Sequence, residues 1–186
     1  MTFHKPKTAR KKNTQKVASG YAAPVMVSSK IIHWNTPEKV LERVRLLDMH
    51  GVGLDPCANK TSSVRAHTEY HEEDDGLSHD WRGHGLVYMN PPYGKALLTW
   101  CGKMWEEFRL ASDGGARDQI VALVPARPDT QWWHRFCAPA DAVCFIEGRL
   151  KFQGAPAVAP FPSALIYYGA KRHIFKAHFQ DLGWIP

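Results

Sequence analysis

Three short apolar runs constrain the fold more than any other feature of this chain. "VGLDP" (52–56), "LVYM" (86–89) and "IVALVPA" (120–126) each suit a buried strand and are too short for a helix. Between the last two lies a helical pattern. In "ALLTWCGKMWEEF" (96–108), Leu97, Cys101, Trp105 and Phe108 fall on one face. Strand, helix, strand is the pattern of a parallel pair joined by a crossover. Strands covered on both faces read as unbroken apolar runs, as these do.

The rest of the chain extends the pattern. "NTPEKVLERVRLLDMHG" (35–51) reads as a helix with Thr36 as cap, Pro37 in the first turn and Gly51 as the stop. Val40, Val44 and Leu47 make its buried stripe, with Leu41 beside them. Residues 57–85 are polar and rich in His and acids; loops and one short helix over 62–71 are expected. "DTQWWHRFC" (129–137) predicts a helix capped by Asp129. "AVCFIEG" (142–148), "RLKFQ" (149–153) and "SALIYYG" (163–169) predict strands. Alternation early and crowded strands late imply a three-layer α/β fold, its central sheet mostly parallel with an antiparallel edge. Only 34 residues separate Asp55 from Asn90, so the sheet edge between them must be abbreviated.

A chain of 186 residues suits one domain with its own core, expected over 31–186. The segment before it, 1–30, is cationic and poor in large apolar residues, and is expected to be a disordered arm. It reads equally as an arm along phosphates and as a solubilising tail. The net charge of +6 favours a polyanionic partner, nucleic acid before membrane. Cys57, Cys101, Cys137 and Cys144 form no C-x-x-C pair and read as reduced thiols of a cytoplasmic protein. No apolar run reaches membrane-spanning length, and the basic start lacks the apolar segment of a secretory signal. His67 and His71 are four apart, yet with Cys57, His79 and His84 they match no strong ligand spacing, so no metal is expected.

"YMNPPYG" (88–94) carries the chemistry. It stands at the carboxyl end of the second run, where open α/β sheets bind ligands. Pro91 and Pro92 remove two backbone donors, leaving carbonyl acceptors without competing N–H groups. The Asn90 side-chain oxygen adds an acceptor, and two acceptors can hold both hydrogens of one amino group. Tyr93 offers a flat face to a planar partner. Accepting both hydrogens weakens conjugation of the amine with its ring and frees the lone pair for attack on an electrophile. Catalysis would then be mostly positioning and electrostatics.

The chain resembles the phage-type DNA N6-adenine methyltransferases, the Dam family of phages and prophages. The matching pieces run in order: "HWNTPEKV", "GLDPCAN", "EDDGLSHDWRGHGLVYMNPPYG", "ALVPARPDTQWWH", "FIEGRLKF" and "FPSALIYYG". They span about residues 33–170. The resemblance implies a Rossmann-like fold, S-adenosylmethionine as cofactor and double-stranded DNA as substrate. It places Trp34, Thr36 and Pro37 against the methionine end of the cofactor, and Asp55, Pro56, Cys57 and Ala58 in the loop beneath it. It offers Asp75 and Asp80 for the ribose or adenine of the cofactor, Asp80 alternatively for the target amine. Asn90, Pro91, Pro92 and Tyr93 would hold the target adenine, flipped out of the duplex. A phage could use such methylation to evade host restriction. One departure is the loop "DPCANKTSS", which lacks the glycines that the wider methyltransferase class carries after its first strand.

Planar amines look alike to Asn90, so an RNA base, cytosine N4 or a protein glutamine is the alternative substrate. An inactive DNA-binding relative is the alternative of another class. Arg127, Arg149 and Lys151 follow strands on the ligand side, suited to phosphates or to surface ion pairs. "GAPAVAPFPS" (154–163) reads as a rigid loop toward DNA or as a connector. Trp132 and Trp133 read as packing before base stacking.

Overall fold

The computed structural model describes residues 34–113 and 118–186; the basic arm 1–30 lies outside them. Seven strands form one sheet among these residues. They are β1 (Leu54–Asp55), β2 (Thr68–Glu69), β3 (Leu86–Met89), β4 (Gln119–Pro125), β5 (Ala142–Ile146), β6 (Ser163–Tyr168) and β7 (Gly183–Trp184). Their order is β2-β1-β3-β4-β6-β5-β7. The first four run parallel. β6 runs antiparallel to both β4 and β5, and β7 antiparallel to β5.

Among the described residues four helices cover the sheet: α1 (Glu38–Arg45), α2 (Leu97–Asp113), α3 (Gln131–Phe136) and α4 (Arg172–Phe179). The alternation of side chains along each strand sorts them into layers. Leu86 and Tyr88 of β3 pack with Val40, Leu41 and Val44 of α1 and with Phe175 and Phe179 of α4. Val87 and Met89 pack on the other face with Trp100, Cys101 and Met104 of α2 and with Trp133 and Phe136 of α3. The three-layer α/β architecture, parallel on one side and antiparallel on the other, is therefore the one expected of a Rossmann-like methyltransferase.

Several local expectations are corrected. No helix forms over 62–71. Arg65 sits at φ 60, which interrupts a right-handed helix, and β2 forms there by pairing with β1. The edge is abbreviated as expected: β2 has 2 residues, followed by a 3-residue 3-10 turn, Glu72–Asp74. Residues 149–153 are not a ladder strand; among the described residues they make one bridge, from Gln153 to Asn35. Thr36 does not cap α1, because its hydroxyl instead shares a buried 2.7 Å hydrogen bond with the Tyr88 hydroxyl. Thr130, not Asp129, occupies the cap position of α3, its hydroxyl donating to the Arg127 carbonyl at 2.7 Å.

The topology fixes where a ligand can lie. From β1 the chain steps outward to β2, then returns past β1 to β3. The carboxyl ends of β1 and β3 therefore flank a switch point, the crevice where such sheets take ligands. Asp55 ends β1 and Asn90 follows β3.

Candidate active site

Asp55 is 3% exposed at the end of β1. Its carboxylate accepts from the Cys57 backbone N–H at 3.1 Å and from the Ser62 hydroxyl at 3.4 Å. Burial pushes this carboxyl up to about 7; the Cys57 N–H pulls the other way, and the charge of Glu69 on the neighbouring strand adds to the rise. The Cys57 thiol, raised by burial and by Asp55, faces the Asn90 backbone N–H. It is an inert thiol at neutral pH.

The Asn90 side chain has a defined direction. Its amide NH2 donates to the Trp34 carbonyl at 2.9 Å, and its oxygen accepts from the Tyr93 hydroxyl at 3.1 Å. The Tyr93 hydroxyl also lies 3.4 Å from the Leu123 carbonyl. Burial drives the Tyr93 phenol well above its ordinary range, so it remains a neutral donor. Pro91 is buried and Pro92 exposed. Among the described residues nothing donates to the Pro91 carbonyl.

Aromatic rings surround this pair. Phe161 meets Tyr93 edge-on at 5.4 Å, and Phe152 does so at 6.3 Å. Phe152 also stacks on Trp34 at 5.4 Å. The Trp34 indole N–H is buried with no partner. Gln153 binds the backbone of Asn35 and Thr36, its side chain reaching the Thr36 carbonyl at 2.8 Å. Asn35 in turn binds Thr61 and Asn59. The segment 34–37, the loop after β1 and the segment 150–153 are thus held together around the end of β3. Pro56 and Ala58 are buried within that loop, and Pro37 lies half-buried at the start of α1.

The acidic loop 71–80 closes the other side. Gly76 passes so close to Pro56 that an added Cβ would stand 1.8 Å from the Pro56 carbonyl oxygen. The Trp81 indole donates to the Gly76 carbonyl at 2.8 Å, and its backbone N–H to buried Glu107 at 3.0 Å. Asp75 and Asp80 are both exposed. Asp75 adopts φ 50 after the 3-10 turn. Asp80 is engaged by Arg82, whose guanidinium holds the carboxyl well below its usual range.

The structure therefore gathers Trp34, Thr36, Asp55, Cys57, Asn90 and Tyr93 around one crevice and leaves Asp75 and Asp80 on its acidic rim. Sequence reasoning missed Glu69, the half-buried acid that ends β2 beside Asp55. Its signal was faint, because a strand of 2 residues has no periodicity. It also missed Phe152 and Phe161, whose contacts with Tyr93 arise only in three dimensions.

Among the described residues no group of three His, Cys, Asp or Glu could hold a metal ion. Among those residues, too, no helix is long and apolar enough to cross a membrane. A comparison with curated proteins finds no match. The family model for DNA N-6-adenine-methyltransferase (Dam) matches residues 26–162, the span that contains both strand ends and the whole crevice. The chain belongs to the DNA N-6-adenine-methyltransferase family, enzymes that methylate adenine of DNA at N6.

Proposed function

We propose that the crevice between β1 and β3 brings S-adenosylmethionine and a flipped adenine of double-stranded DNA together at Asn90. The orientation of Asn90 carries this reading. With its NH2 fixed on the Trp34 carbonyl, its oxygen is turned away from Trp34 and toward the Tyr93 hydroxyl. A target amine would replace that hydroxyl as donor, with the Pro91 carbonyl as the second acceptor.

The residues present fit S-adenosylmethionine, which supplies an electrophilic methyl group when bound. Glu69 ends the second strand, the place where an acid meets a ribose hydroxyl in nucleotide-binding sheets. Asp75 and Asp80 are exposed on the rim, and Asp80 is already paired with Arg82. The unpaired Trp34 N–H can donate to a polar ligand atom, while Thr36 and Pro37 hold the backbone there. Buried Asp55, Pro56 and Ala58, with half-buried Cys57, form the floor. Tyr93 and its aromatic neighbours give the adenine an apolar face and exclude water.

Asn90 then polarises the amine only as it attacks, since its hydrogens become more acidic as the nitrogen turns cationic. This interaction strengthens in the transition state, which is what raises turnover. Asn90→Ala should lower kcat on the order of a hundredfold, while calorimetry shows S-adenosylmethionine affinity within a few-fold of the parent. Near-normal turnover of Asn90→Ala would contradict the assigned role.

A further inference from the structure

β6 opposes β4 and β5, so the chain leaves β5 and enters β6 at the same end of the sheet as Asn90. The whole connection, residues 147–162, therefore lies on the active-site side. It has no helix or named strand, yet it is pinned along its length. The Ala159 N–H donates to the Leu150 carbonyl at 2.7 Å, and the Ala126 N–H to the Pro162 carbonyl at 2.9 Å. Leu150, Phe152, Ala155 and Ala159 are buried. Between these anchors Pro156, Ala157 and Val158 stand exposed, and Val158 is 53% accessible. Pro156 opens the tip and Pro160 follows it, and both stiffen the backbone there.

Two further features of this tip point the same way. It belongs to the connection whose Phe152 and Phe161 touch Tyr93. The same connection carries exposed Arg149 and Lys151 ahead of the tip, neither of which has an ion-pair partner among the described residues. Arg127 nearby is paired with Asp129 at 3.4 Å. A stiff apolar tip that shares its connection with two unpaired cations and with the rings on Tyr93 suits a polyanion whose stacked interior must be opened.

We propose that the Pro156–Val158 tip enters duplex DNA beside the target adenine and fills the gap left when that base rotates into the pocket. Arg149 and Lys151 hold the flanking phosphates. Apolar side chains that enter a base step offset the loss of stacking. This inference rests on the base-flipping reading above and adds the element that drives it.

The test compares Val158→Ser with the parent on two duplexes. One carries a site that the parent methylates; the other carries the same site with the target adenine mispaired. A mispaired base costs less to extrude. Val158→Ser should lose about tenfold in kcat/KM on the paired duplex and recover to within about twofold on the mispaired one. Val158→Ile should match the parent on both. An equal loss on both duplexes, or no loss on either, would overturn the role of the tip. Base flipping itself is read separately, from parent protein and a duplex with 2-aminopurine at the target position. No rise in fluorescence there would remove the flipping reading and this inference with it.

Discussion

Asn90, Tyr93 and Trp34 form one relay in which each hydrogen bond decides the next. Tyr93→Phe removes the donor that now occupies the Asn90 oxygen but keeps the ring between Phe152 and Phe161. Turnover should stay within about fivefold of the parent, because one neutral hydrogen bond contributes on the order of 1 kcal/mol. Tyr93→Ala should fall much further through loss of the apolar wall. Steady-state rates on one DNA substrate separate the two, and equal losses would mean that the hydroxyl, not the ring, matters. Asp55 gives a prediction in pH. Its folded carboxyl lies at about 7, above the ordinary 3.8, so the folded protein holds a proton that the unfolded chain has released. Stability therefore falls as pH rises from about 4 to about 7 and levels off above that window. Asp55→Asn should be no more stable than the parent at pH 4 and more stable by on the order of 2 kcal/mol at pH 8. Urea unfolding at both pH values would show this, and a constant difference would contradict it. Residues in the "NPPY" motif could be read from the sequence because their chemistry is local. The Thr36–Tyr88 pair could not, since a long-range hydrogen bond outcompeted a capping role that local sequence favours equally.

Elements differed in how well they announced themselves. β3, β4 and β6 are unbroken buried runs and α2 is a long helix with a periodic apolar face, and pattern alone located them. β1 has 2 residues yet lies within the apolar run "VGLDP" that announced it, whereas β2, also of 2 residues, exists through pairing rather than propensity. Residues 149–153 show the opposite failure. Leu150 and Phe152 are buried while Arg149 and Lys151 are exposed, so the alternation was real but no neighbouring strand was there to complete a ladder. α4 was unread although Phe175 and Phe179 sit one turn apart and stack at 4.6 Å. The acidic loop is the element most sensitive to a single atom. Gly76→Ala would place a methyl group against the Pro56 carbonyl, where neither backbone can easily yield. It should push the loop off the floor of the crevice and weaken S-adenosylmethionine affinity by about tenfold or more, since overpacking costs about 1–3 kcal/mol. Calorimetry would reveal it, and unchanged affinity would separate the loop from the cofactor site.

At the scale of the molecule, the sheet decides the chemistry. Four parallel strands create the switch point, and the reversed β6 brings the 147–162 connection back to the same rim. The fold class followed from alternation and burial, and the family from ordered motifs across the body. The path of that connection could not be read, because it depends on which strand β6 pairs with. A net charge of +6 on a chain of this size makes DNA association strongly salt-dependent. Affinity for duplex DNA should fall by about tenfold or more between 50 and 200 mM salt, as fluorescence anisotropy would record; a flat response would deny phosphate contacts a main part.

The most direct measurement incubates the purified protein with unmethylated duplex DNA and S-adenosylmethionine, then digests the DNA to nucleosides for mass spectrometry. Methylated adenosine with the methyl at N6, produced by the parent and lost in Asn90→Ala, is the result this account predicts. Methylated cytidine instead, or no methylated nucleoside from a parent protein that binds the cofactor, would contradict it.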